Sequence, residues 1–164
     1  MTQIHPDALR DFQVELRHCE KACHVCTKEC QKCIEACREI LKLVENDPHH
    51  HYAITVCIAQ CEECIKICQQ CEDRCKELTE AIHDSEILRR LERILQACRE
   101  QCVATAKAVA ICYGHCMLAY EKDPSERFHE TAKVCKHCEH IVEECKKSCT
   151  VMSGHIKRYF DKKG

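Results

Sequence analysis

Cys19-Glu-Lys-Ala-Cys23-His-Val-Cys26-Thr-Lys-Glu-Cys30-Gln-Lys-Cys33-Ile-Glu-Ala-Cys37 places six cysteines at steps of four, three, four, three and four residues. The ladder returns unchanged as Cys57, Cys61, Cys64, Cys68, Cys71 and Cys75. A third copy reads Cys98, Cys102, Thr105, Val109, Cys112, Cys116, with two positions substituted. The fourth reads Thr131, Cys135, Cys138, Val142, Cys145, Cys149, Met152. Alternating steps of four and three mark the seam of a helix packed against partners, so every cysteine is expected to face a bundle axis. None lies off the seam.

Three breaks separate the copies: Asn46-Asp47-Pro48, His83-Asp84-Ser85 and Lys122-Asp123-Pro124-Ser125. Each offers Asp or Ser where a helix starts, and two place Pro at the first helical residue. Pro6-Asp7 opens the first segment in a similar way. The reading is all-α: one domain over residues 1–164, with helices at about 7–45, 49–82, 86–121 and 124–160. Short turns between long helices make an antiparallel four-helix bundle with a cysteine-lined core.

Outside the cysteines the seam turns apolar. Leu9, Phe12 and Leu16, Leu78 and Ile82, Leu88, Leu91 and Leu95, and Met152, Ile156 and Tyr159 should meet at one end as a thick plug. The other end receives Ile40, Val44, His50, Ile54, Ala119, Phe128 and Thr131, and is expected to be thinner and more polar.

The remaining composition sets bounds. The chain has 20 Cys and 12 His, no Trp, and a formal charge of −2. No charge excess points to nucleic acid or a membrane surface. The first residues, Met1 to Asp7, form no apolar run of signal-peptide type, and no segment reads as long and apolar enough to span a membrane. The expectation is a cytoplasmic protein whose cysteines stay reduced.

A core of thiols needs a reason, because larger aliphatics fill space better without oxidation risk. Nine Cys-x-x-x-Cys and five Cys-x-x-Cys pairs occur. Helical i,i+4 neighbours lie ~6 Å apart at Cβ, so two sulfurs can turn toward one ion. On the first two helices the column runs ~27 Å. Soft thiolates select Cu(I), Zn(II) or iron–sulfur clusters. One Cu(I) per bridging thiolate is neutral, whereas five four-thiolate zinc sites would bury about ten negative charges. No Lys or Arg sits on the seam to offset them. Iron–sulfur ligation accounts for four or eight cysteines better than for this many.

The recurring Cys-x-x-x-Cys-x-x-Cys-x-x-x-Cys on a four-helix chain resembles the cytosolic class of bacterial copper storage proteins. The resemblance covers the cysteine-bearing part of all four segments. It implies a non-catalytic bundle loaded with many Cu(I) ions for storage or detoxification, assembled as a homotetramer; a copper chaperone is a candidate exchange partner. It also implies His or Met around one open end. Here that end gathers His49, His50 and His51, with His129 and Met117, so His50, His129 and Met117 are candidate entrance ligands. Thr105, Val109 and Val142 interrupt the pattern.

Other readings fit less well. A metallothionein-like Zn/Cd store is the serious rival. A di-iron enzyme would need Glu80/His83 and Glu126/His129 to share a site, yet antiparallel topology puts them at opposite ends. A thiol oxidoreductase needs an exposed, activated Cys-x-x-Cys pair. His18, His24, His83, His137 and His140 fall off the seam and are expected to face solvent, and Met152 to fill the core. On the third helix, Val103, Ala106, Ala108, Ala110 and Ile111 are off the seam yet apolar, which suits contact with another subunit.

Overall fold

A computed structural model describes residues 6–163, with side-chain surroundings from Leu9 to Tyr159. Four α-helices follow in order: α1 Pro6–Leu41, α2 Pro48–Glu80, α3 Ser85–Lys122 and α4 Glu126–Lys163. Each packs on its two sequence neighbours, and α4 closes the ring against α1. Among the described residues there is no strand. The fold is the expected four-helix bundle.

The boundaries follow from local chemistry. α1 ends at Leu41 and tightens into a 3-10 turn over Lys42–Val44 instead of running to 45. The Asp47 carboxylate accepts from the His50 amide at 3.1 Å, with Pro48 in the first turn of α2. Asp84 caps α3 through the amides of Glu86 and Ile87, at 3.0 and 3.2 Å. The third break behaves differently from expectation. Asp123 closes α3 by donating its amide to the Ala119 carbonyl, and α4 begins only at Glu126. Pro124 therefore lies in the connection, where its missing N–H is no loss.

Sulfur contacts fix the register. Cys19 meets Cys71 of α2 and Cys149 of α4, while Cys33 meets Cys57 and Cys135. Sequence numbers rise along α1 as they fall along α2 and α4, which is the antiparallel arrangement. At one end Leu16, Leu78, Leu88, Leu91, Leu95, Met152 and Ile156 are fully buried, with Phe12 almost so. Leu9, Ile82 and Tyr159 are partly covered at its margin.

The opposite end is closed by residues expected there. Ile40, Val44, Ile54, Phe128 and Thr131 are all buried there, and so is Ala119. Val44, in the 3-10 turn that follows α1, is buried against the core. One further correction concerns α3. By length and composition alone this helix is apolar enough to cross a membrane. Part of its apolar character is turned inward, since Cys98, Cys102, Val109, Cys112 and Cys116 are all buried, while Val103, Ile111 and Leu118 stay exposed.

Candidate metal-binding site

Every one of the 20 cysteines is free of disulfide bonding and buried, none more than 1% exposed. Their positions follow from the ladder: a seam residue every three or four steps keeps returning to the axis, and four such seams face one another.

The sulfurs touch. Cys26 lies 3.8 Å from Cys64, Cys33 3.9 Å from both Cys57 and Cys135, and Cys23 3.9 Å from Cys145. Contacts also cross the bundle diagonally, Cys37 to Cys112 at 3.8 Å and Cys68 to Cys145 at 3.9 Å. Small side chains let opposite helices reach the same axis, which leucines would prevent. With a metal–sulfur bond of about 2.3 Å, sulfurs around a three- or four-coordinate ion lie about 3.8–4.0 Å apart. The observed spacing already matches.

Several sets gather within 4.8 Å: Cys19, Cys23, Cys71 and Cys149; Cys23, Cys98, Cys145 and Cys149; and Cys33, Cys37, Cys57 and Cys135. Trios Cys26, Cys30, Cys64 and Cys26, Cys68, Cys145 join them. The same cysteine recurs in more than one set. Such a sulfur is placed to bridge two ions, so the column suits clusters rather than isolated sites.

Packing against one another also changes the thiols. Donation from Cys138, Cys26 and Cys61 holds the Cys30 thiol down, at about 6, despite burial. Cys75, next to Cys19 and Cys71 and removed from water, is pushed up. In the low dielectric of the core a thiolate depends on neighbouring S–H groups, so deprotonating the set requires an arriving cation.

The interruptions take distinct forms. Val109 and Val142 are fully buried and fill the wall. Thr105 is buried too, but its hydroxyl donates to the Gln60 carbonyl at 3.2 Å and accepts from the Gln101 amide at 3.1 Å. Gln101 also donates to the Gln60 side chain at 2.7 Å. The hydroxyl is committed to a clasp between α2 and α3 and leaves the sulfur column.

Near the start of α2, the structure brings together one expected residue and one that the sequence reading missed. Nδ1 of His50 lies 2.7 Å from Nδ1 of His115, and their rings meet edge to face. His115 sits between the seam residues Cys112 and Cys116, a position that periodicity alone does not mark as inward. His129 is placed elsewhere: its ring packs on Tyr120 of α3, with centroids 5.3 Å apart. Met117 is half-buried beside the core.

Two of the histidines expected to face solvent do more than that. His24 pairs with Glu72 at 2.8 Å, bridging α1 and α2, and His137 pairs with Glu29 at 2.9 Å, bridging α4 and α1. Glu29 is buried, which would raise its pKa, but the bonds from His137 and Lys32 outweigh burial and hold the carboxyl below its usual range. His18, His83 and His140 are exposed as expected.

Fold and site together define a four-helix bundle whose core is a column of thiols able to hold metal ions. No family model, curated protein or solved structure matches this chain. The assignment of cargo therefore rests on the chemistry of the column.

Proposed function

We propose that this protein is a non-catalytic store of Cu(I), holding many ions per chain through its core cysteines. One observation carries the reading: 20 buried, unbridged thiols in mutual contact, with no cationic side chain among the described residues that are buried. Filling such a core with thiolates and an equal number of Cu(I) ions leaves no net charge. Filling it with four-thiolate divalent sites leaves two negative charges per ion in a dry interior. Soft, low-coordinate Cu(I) is the cation that thiolates of this kind select. Reduced thiols suit a cytoplasmic setting, and storage or detoxification needs nothing beyond binding and release.

The cysteine register that resembles bacterial copper storage proteins supports the same cargo and a homotetramer. Exposed Val103, Ile111 and Leu118 on the outer face of α3 suit that assembly, the last two being 57% exposed. Ala106 and Ala108, by contrast, are covered by the chain's own helices. Copper reaches the column beside His50 and His115, whose imidazoles are weaker Cu(I) ligands than paired thiolates and suit a handover from a chaperone.

The test is anaerobic titration of the reduced protein with Cu(I), in competition with a chromophoric Cu(I) chelator. Saturation near one Cu(I) per thiolate, with Zn(II) unable to displace it, is the expected result. Saturation at about five ions, or stronger retention of Zn(II), would replace copper with the divalent store.

A further inference from the structure

We propose that the plugged half of the bundle also holds a discrete pair of divalent soft ions, Zn(II) or Cd(II), in a six-thiolate cluster bridged by Cys23 and Cys149. This goes beyond copper storage, because it assigns a second class of cation to a defined subset of the thiols.

The geometry is that of two tetrahedra sharing an edge. Cys19, Cys71, Cys23 and Cys149 lie within 4.8 Å of one another, and so do Cys98, Cys145, Cys23 and Cys149. The shared pair makes two bridging sulfurs, and the other four become terminal ligands, two per ion. Cys19 already meets Cys71 and Cys149 at 4.0 Å, and Cys23 meets Cys145 at 3.9 Å. A tetrahedral Zn–S bond of about 2.3 Å asks for edges of about 3.8 Å, so a modest contraction closes both sites.

Charge explains why the pair forms here first. Six thiolates and two divalent ions carry a net −2, or −1 per ion. A four-thiolate site that shares no sulfur with a neighbour carries −2 for a single ion. Sharing two sulfurs halves the buried charge per ion. The thiol of Cys68 contacts the terminal sulfurs of both Cys98 and Cys145 at 3.9 Å. As an S–H donor it offsets part of the remaining charge, the service that outer-shell donors give metal ligands.

Binding is an acid–base exchange: six S–H protons leave to solvent, six metal–thiolate ligands form, and no electron moves. Cu(I), which needs no buried charge, displaces the pair as the core fills. The plugged half is therefore loaded with divalent ions only while copper is scarce.

The probe is Co(II) added anaerobically to the reduced, metal-free full chain, with Cd(II) as a second titrant. The first two equivalents should give tetrahedral tetrathiolate absorption and release about six protons together. The second equivalent should lower the magnetic moment per ion, the mark of thiolate bridging. Cys149→Ser should remove that coupling, whereas Cys33→Ser should leave it intact, with helical circular dichroism confirming the fold of both. Two uncoupled ions in the unmutated protein would overturn the proposal, and so would coupling lost with Cys33→Ser or uniform uptake of about five equivalents. None of these readouts depends on how much Cu(I) the protein stores, so the two readings stand or fall separately.

Discussion

The Nδ1 atoms of His50 and His115 lie 2.7 Å apart, tying the first turn of α2 to α3 beside Cys116. At that distance one ring donates and the other accepts. The pair stands at the end of the bundle where Ile40, Val44, Ile54 and Phe128 are buried. Replacing both histidines with Leu should slow Cu(I) uptake about tenfold, equivalent to about 1.4 kcal/mol of barrier, with final capacity unchanged. His129→Leu should have a smaller effect, since that ring packs on Tyr120. Stopped-flow measurement of the thiolate-to-copper charge-transfer band decides; unaltered kinetics in the double variant would place the entrance elsewhere.

The seam positions that lack sulfur set capacity. Val109→Cys and Val142→Cys put thiols where fully buried valines now fill the wall. Each should raise the Cu(I) ceiling by about one ion, at a packing cost of about 1 kcal/mol in the metal-free protein. Copper-to-protein ratios after gel filtration would show the gain. A ceiling that stays fixed in both variants would mean that cluster geometry, not thiol number, limits loading.

Metal-free folding should depend on the leucine plug. Leu91 is fully buried, and Leu91→Ala should cost about 2–5 kcal/mol in denaturant unfolding of the apo protein. Loading with Cu(I) should restore much of that loss, because a ligand bound only by the folded state adds stability by mass action. An apo protein with coil-like circular dichroism before any mutation would contradict this assignment of stability.

Acid should loosen the α1–α4 contact. The Glu29 carboxyl is held below its usual range by His137 and Lys32, so the folded state binds a proton there less readily than the unfolded chain does. Its contribution is present above the ordinary glutamate range and is lost as pH falls through the depressed folded value. Unfolding measured from neutral pH down to about 3 should show a smaller decline for Glu29→Gln than for the unaltered protein. Parallel curves would remove Glu29 from the account.

The outer face of α3 should control assembly. Ile111→Lys with Leu118→Lys adds charge to two exposed apolar positions and should shift a homo-oligomer to monomers in sedimentation at micromolar concentration. Both side chains lie on the surface, so helicity should be unchanged. A protein already monomeric before substitution would remove this face from consideration as an interface.

The 4-3 ladder and the breaks between its copies by themselves determined the helices, their antiparallel order and the inward facing of all 20 cysteines, because seam periodicity is a local property of a helix and short turns join antiparallel neighbours. The leucine plug was equally legible, since the same register carries Leu16, Leu78 and Leu91 beyond the cysteines. Only the tertiary structure decided which sulfurs meet, because contacts such as Cys37 with Cys112 depend on how far four helices slide and approach. It also decided that His115 joins His50 while His129 turns to Tyr120. A residue beside the seam can face inward or outward according to the rotation of its helix, and that rotation is set by packing against neighbours, not by spacing. The same holds for Glu29, which four-residue periodicity leaves on a flank. It is buried, and His137 of α4 reaches across to bond it.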